Sequence, residues 1–352
     1  GTTATSTVSS RPQFYFTGNG LTCTSARAAV TATINPQPSA LVMSPASVTM
    51  CSSDAAAALS FTGGSYSVTA NAYAQGFETF PAPDFAASGA GITAATNTTY
   101  YAEGTKSVLL TYIASLTTAS TNNSYQQTAN VNLSTYSSAT LSFKHICGLE
   151  GPSTTYDAGY IQYSSNGGST WTTFPTANYT GSGTLMTTVN SSSVTGTIFS
   201  TRSYPDWITQ FSSSSSTPGT GPAAALWKTE TITIPVAALT ANFRIRFMIT
   251  SDGTAQYYGW LLDDIKIVAT GSTIAPVAWS PTTGLYTNAG ATVSYTGTAA
   301  TTVYAKPSST TTYTATGTAP GGCTSTNTVA VTVKPAFTWL GVNTTWGNAS
   351  NW

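Results

Sequence analysis

The stretch SVTMCSSDAAAALSFTGG, residues 47–64, reads as the opening of a small β-sandwich. An alternating run carries Cys51, a second run follows, and Gly63-Gly64 turns the chain. Alternation with period two sends successive side chains to opposite faces of a strand. The residues that follow do not continue this sandwich. Its missing part stands from residue 277 onward, in VAWSPTTGLYTNAGATVSYTGTAATTVYAKPSSTTTYTATGTAPGGCTSTNTVAVTV (277–333), with Trp279 early and Cys323 late. A domain over 68–271 is therefore inserted into a sandwich made of 37–67 plus 272–335. Insertions are tolerated at exposed hairpin ends, where domain termini lie close together.

Working outward, nearly every periodic segment alternates and is rich in Val, Ile, Thr and Tyr: SVLLTYI, ATLSFKHI, GYIQYS, ETITIPV, NFRIRFMI and VAVTV. No run of ten or more residues has helical spacing, so the chain is expected to be all-β. In SSNGGS (164–169), Asn166-Gly167 is expected to supply the positive-φ pair of a tight hairpin. An internal repeat is visible: TCTSARAAVTATINP (22–36) and GCTSTNTVAVTVKP (322–335) share a Cys-Thr-Ser start and a closing alternating strand. One domain type therefore ends twice, which makes 1–36 the last part of a preceding repeat.

The chain has 352 residues, 41% of them hydrophobic, which is ample for several cores. Only 6% are charged, against about 25% in an average soluble domain, and the eleven cations and eleven anions are scattered singly. Without a basic stripe the chain is not expected to bind nucleic acid, and no apolar run approaches the roughly 18 residues of a membrane span. A neutral, hydroxyl-rich surface suits an extracellular or cell-surface protein. Four cysteines (Cys23, Cys51, Cys147, Cys323) without CxxC spacing fit an oxidising compartment better than a zinc site.

The two joined halves resemble the tandem immunoglobulin-like repeats of very large secreted surface proteins of Bacteroidota, on WSPTTGL, TTTYTATG and GCTSTNTVAVTV. In such sandwiches an early and a late cysteine join the sheets beside a buried tryptophan, which implies a Cys51–Cys323 bridge next to Trp279. Cys23 would then pair outside the chain, with Cys147, or with another copy that completes its strand set. The tail FTWLGVNTTWGNASNW resembles the start of a following module over 336–352. GFETFPAPDF, EGTKSVLL, NLSTYSSATLSFKHI, YDAGYIQYSSNGGSTW, NFRIRF and YYGWLLDDIKI together resemble jelly-roll domains of the MAM and cleaved-adhesin type. That resemblance implies a two-sheet sandwich, often with a calcium ion near an early Phe-Glu and a late Asp-Asp-Ile, and often an adhesive role.

Asp263 and Asp264 are adjacent in a strand, which places one carboxylate on each face, so one of them must point inward or be clamped. Glu78, Asp157, Asp263 and Asp264 are the candidate Ca²⁺ ligands; the competing reading has one acid of the Asp263-Asp264 pair capping a loop through backbone N–H groups and the other solvated. His145 stands two residues from Cys147 in FKHICG, one face of one strand, but no orienting acid or oxyanion hole is evident, and no catalytic residue is assigned. No motif picks a glycosidase pair from Glu78, Glu103, Glu150, Asp157 and Asp206. The loop RSYPDWITQFSSSSSTPGTGPAAALW (202–227) has aromatics at both ends, and Tyr204, Asp206 and Trp207 are the candidate ligand contacts. The expectation is a non-enzymatic segment of a surface fibre or adhesin, with a glycan or surface-protein ligand and copies of the repeat as partners. The carbohydrate-binding part of a secreted hydrolase and a self-assembling filament subunit are the alternatives.

Overall fold

The computed structural model describes residues 34–335 except 114–115, 117–122, 152, 190–191, 194–195 and 220–224. Cys23, the repeat end at 22–33 and the segment 336–352 lie outside the described residues. The chain is a set of β-sandwiches and divides into two units: Ser67–Ser272, and Gly1–Tyr66 with Thr273–Trp352.

In the second of these, one sheet orders Val42–Ser44, Ala57–Thr62, Thr302–Ala305 and Leu285–Tyr286, all antiparallel. The other orders Val277–Ser280, Thr311–Thr318, Thr324–Lys334 and Ser47–Cys51, with the last pair parallel. Alternation does the sorting: Tyr313, Ala315 and Gly317 are buried, while Thr312, Thr314, Thr316 and Thr318 face away from the core. Trp279 is buried among Leu59, Val303, Tyr313, Val329 and Val331, and its Nε1 donates to the Ala300 carbonyl at 3.0 Å.

The expected Cys51–Cys323 bridge is absent: both thiols are free. Cys51 lies opposite Lys334, at one end of the 11-residue strand Thr324–Lys334, whereas Cys323 precedes the other end. The two are separated by about 35 Å of extended chain, far beyond the roughly 7 Å that a disulfide spans between Cα atoms.

The unit Ser67–Ser272 is a jelly-roll sandwich. One six-stranded sheet runs Lys228–Thr233, Tyr136–Gly148, Gly259–Ile274, Ser107–Tyr112 and Ile92–Asn97, with Ser65–Gln75 also on Gly259–Ile274. The facing sheet runs Thr172–Thr173, Ala158–Ser164, Arg244–Thr250, Ser124–Gln127 and Phe85–Ser88, with Ile198–Phe199 also on Ala158–Ser164. Leu141, Phe143, Ile232, Trp260, Ile265 and Ile267 meet Phe85, Tyr125, Ile161, Phe199 and Phe247 in one core. In the hairpin after Ala158–Ser164 the positive-φ residues are Gly167 and Gly168, at 73° and 91°, not the expected Asn166-Gly167 pair. Asn166 instead uses its Oδ1 to accept from Thr170 N–H at 2.9 Å.

Candidate functional site: a carboxylate cluster and two clamped acids

The four sequence-predicted metal ligands do not come together. Pairing between Tyr136–Gly148 and Gly259–Ile274 slips between Asp263 and Lys266, and Asp264 takes a φ of 48°. This β-bulge holds one extra residue, so the inward phase passes from Trp260 and Leu262 to Ile265 and Ile267, and both acids stay on the outer side. That overturns the expectation of one carboxylate on each face.

Asp263 Oδ2 accepts from the N–H groups of Ala102 (2.7 Å) and Glu103 (3.0 Å), and its Oδ1 from Asp264 N–H (2.7 Å). Asp264 pairs with Lys266 at 2.6 Å and lies 3.7 Å from Lys144. Glu78 grips the same turn from the other side, accepting from Thr105 N–H (3.0 Å), Thr105 Oγ1 (2.8 Å) and Lys106 N–H (3.2 Å). The Thr105 backbone bond is the main reason its carboxyl is held below the usual range. A Cβ on Gly104, φ 61°, would lie 2.1 Å from Glu78 Oε1, so only glycine lets the backbone wrap the carboxylate this closely. Asp263 and Glu78 are clamps on the turn 102–106, and Asp264 is held by lysines.

Asp157 sits elsewhere. Val108 pairs with Leu262, and Tyr112, whose hydroxyl donates to Asp157 Oδ2 at 2.6 Å, lies about 13 Å further along that strand. Asp157 is fully buried at the start of Ala158–Ser164, and its carboxylate converges with those of Glu150 and Asp252, ligand oxygens lying within 4.8 Å of one another. The loop leaving Tyr136–Gly148 brings Glu150, whose carbonyl accepts from Asp157 N–H at 3.0 Å. The turn after Arg244–Thr250 brings Asp252, whose N–H donates to Asp157 Oδ1 at 3.0 Å. Burial, with the two neighbouring acids adding to it, pushes the Asp157 carboxyl up to about 7, and Glu150 is raised for the same reasons. Among the described residues this is the one group of three or more such side chains close enough to share a cation. Hard oxygen donors from carboxylates and carbonyls are what Ca²⁺ takes. Asp252 escaped the sequence reading because strand ends far apart in the chain meet only in the fold.

The proposed ligand contacts also change role. Pro205–Gln210 is a short α-helix that folds the loop inward. Trp207 is 0% exposed, donates from Nε1 to Leu226 O at 2.7 Å and packs edge-on to His145 at 4.9 Å, so it presents no face to a ligand. Asp206 pairs with Lys228 at 2.5 Å. Tyr204 donates to Glu230 Oε1 at 2.8 Å.

Glu230 centres a buried network that the sequence reading missed. Trp260 Nε1, a donor only, lies 2.9 Å from His145 Nδ1, so Nδ1 accepts and Nε2–H donates to Glu230 Oε1 at 2.8 Å. Tyr179 donates to Glu230 Oε2 and accepts from Gly183 N–H at 2.6 Å. Burial pushes the Glu230 carboxyl up, but the bonds from His145, Tyr179 and Tyr204 outweigh it and hold it low. Both imidazole nitrogens are committed inside the core, and burial pushes the neighbouring Cys147 thiol well up. The signal was present in TETITIP, where Glu230 occupies an inward slot shared with Ile232 and Ile234.

Fold and site define the class: an all-β sandwich protein whose larger unit is a jelly-roll with a loop-borne carboxylate cluster. Residues 106–268 match the family model of Reelin subrepeat B. Among solved structures the chain is similar to the CBM22-1 xylan-binding domain of Paenibacillus barcinonensis Xyn10C, with 10% identity and a TM-score of 0.32 over 57% of this chain and 96% of that one. No curated protein matches. No helix among the described residues is long and apolar enough to cross a membrane.

Proposed function

We propose that the chain is a non-enzymatic piece of a secreted surface protein, in which immunoglobulin-like sandwiches are spacers and the jelly-roll is an adhesive module for a glycan or a surface protein. The match of 106–268 to the Reelin subrepeat B model is the main support for this reading, since it stands in a chain whose sequence also carries an internal repeat. Two further features support it: a low charge content of 6%, and a lone histidine sealed in the core where it reaches no substrate. Display of the full chain on glycan and cell-surface protein arrays tests it. Selective retention by at least one ligand class is expected; turnover of any arrayed polysaccharide by the chain alone would overturn the non-enzymatic part.

The same reading includes a structural Ca²⁺ at Glu150, Asp157 and Asp252, in place of the set with Glu78, Asp263 and Asp264. Three converging carboxylates, Asp157 fully buried and Glu150 and Asp252 half-buried, repel one another unless a proton or a cation sits among them.

A further inference from the structure

An open groove of about 350 Å³ lies between Ser153–Thr155 and Leu185–Thr188, with Arg202 in its lining. Five of its eight lining residues carry hydroxyls, Leu185 and Met186 supply an apolar strip, and Arg202 supplies a charge in a chain where only 6% of residues have one. The arginine is held in place by its own turn. Thr201–Ser203 is a 3₁₀ turn with a capping box on Ser200, whose hydroxyl accepts from Arg202 N–H at 3.0 Å. Thr201 Oγ1 donates to the Leu149 carbonyl, and Arg202 Nη1 donates to the Ser153 carbonyl, which fixes the guanidinium against the loop tip. Lys144, Lys228 and Lys266 hold carboxylates; Arg202, like Lys106 and Arg244, forms no ion pair among the described residues and bonds to a neutral oxygen instead.

We propose that this groove binds an acidic saccharide, with Arg202 receiving the carboxylate of a uronic acid. The guanidinium has five N–H donors in a planar fork, and one contact to Ser153 leaves most of them to pair with a carboxylate. The hydroxyls of Ser153, Thr154, Thr155, Thr187 and Thr188 match the alternating donors and acceptors of a sugar ring, and Leu185 and Met186 match its C–H face. A groove this size accommodates a disaccharide at the low end of ordinary ligand sites. The proposal rests on the glycan-binding form of the adhesive reading and narrows it to one chemical class and one site.

The test is calorimetric titration of the full chain with tetragalacturonate and, separately, with xylotetraose, a neutral chain of equal length. Tetragalacturonate is expected to bind, more weakly as salt is raised, and xylotetraose to bind at least about tenfold more weakly. Arg202→Gln is expected to lower tetragalacturonate affinity by about tenfold to a hundredfold, the worth of a charge-assisted pair. Thr187→Glu, at an exposed rim position, should do the same by repulsion without touching the fold. Equal binding of both oligosaccharides, or unchanged tetragalacturonate affinity in a folded Arg202→Gln chain, overturns the proposal while leaving the glycan-binding reading standing. Failure to bind any member of a broad glycan array removes the glycan reading beneath it.

Discussion

A tryptophan set among serines, glycines and prolines invites a sugar-stacking role, and at Trp207 packing decides otherwise. The indole fills the space between His145 and Tyr204, and its one polar atom is satisfied by the Leu226 carbonyl. Trp207→Ala should therefore cost about 3–5 kcal/mol of stability in urea unfolding, the range for an emptied aromatic core site, and leave the ligand profile of the folded fraction unchanged. A different kind of residue-level behaviour belongs to Asp157. Its carboxyl is held up to about 7, chiefly by burial, while in an unfolded chain it titrates near about 3.9. Between those values the folded state keeps a proton that the unfolded state has released, so this group makes stability fall as pH rises. Glu230, held low, acts in the opposite sense only below about pH 4.3, where its contribution is lost as pH falls. In chelator, the unfolding temperature should be highest near pH 5 and decline toward pH 7.5. Asp157→Asn should flatten that decline, and millimolar Ca²⁺ at pH 7.5 should reverse it in the native sequence alone. An unfolding temperature that climbs steadily from pH 5 to 7.5 in chelator would defeat the assignment.

At the scale of elements, the bulge at Asp263-Asp264 organises one side of the jelly-roll. It keeps Ile265 and Ile267 in the core while delivering Asp263 to the N–H groups of the turn 102–106. Asp263→Ala strands those donors, so it should cost about 2–3 kcal/mol and speed amide exchange at Ala102 and Glu103 far more than elsewhere. Across the two sheets, Gly159 faces Trp260: a Cβ there would lie 2.3 Å from the indole ring. Gly159→Ala should destabilise by at least about 1–3 kcal/mol by pushing the sheets apart, seen as a lowered midpoint in chemical unfolding. Strand existence was legible because residues such as Tyr313, Ala315 and Gly317 keep one phase against a row of threonines. The bulge was illegible for the converse reason. A period-two reading assumes constant phase, and two adjacent acids give no sign that the chain will slip by one residue between them. Glu230 was legible in principle as a charged residue in an inward slot, but its partners, His145, Tyr179 and Tyr204, come from three other segments.

At the scale of the whole molecule, stability comes from packed cores rather than covalent staples among the described cysteines. Trp279 occupies the buried place that the immunoglobulin-like resemblance implies, but the cysteines do not follow it. Ser47–Cys51 runs parallel to Thr324–Lys334, which carries Cys51 to the end of that strand remote from Cys323. Sequence order could not reveal this, because an antiparallel placement of the same early strand would have put the two cysteines at one end. The three described thiols also differ in access: Cys51 is exposed, Cys323 half-buried and Cys147 buried. Alkylation of the unreduced, folded chain should therefore label Cys51 fastest, Cys323 more slowly and Cys147 only after denaturant is added. Peptide masses should show each of Cys51 and Cys323 carrying its own label, and reductant should leave the unfolding temperature unchanged within about 1 °C. A cross-linked peptide joining Cys51 to Cys323 would require the early strand to be re-paired antiparallel, with its alternation reset against Val331 and Val333, and the burial of Met50 would then have to change with it.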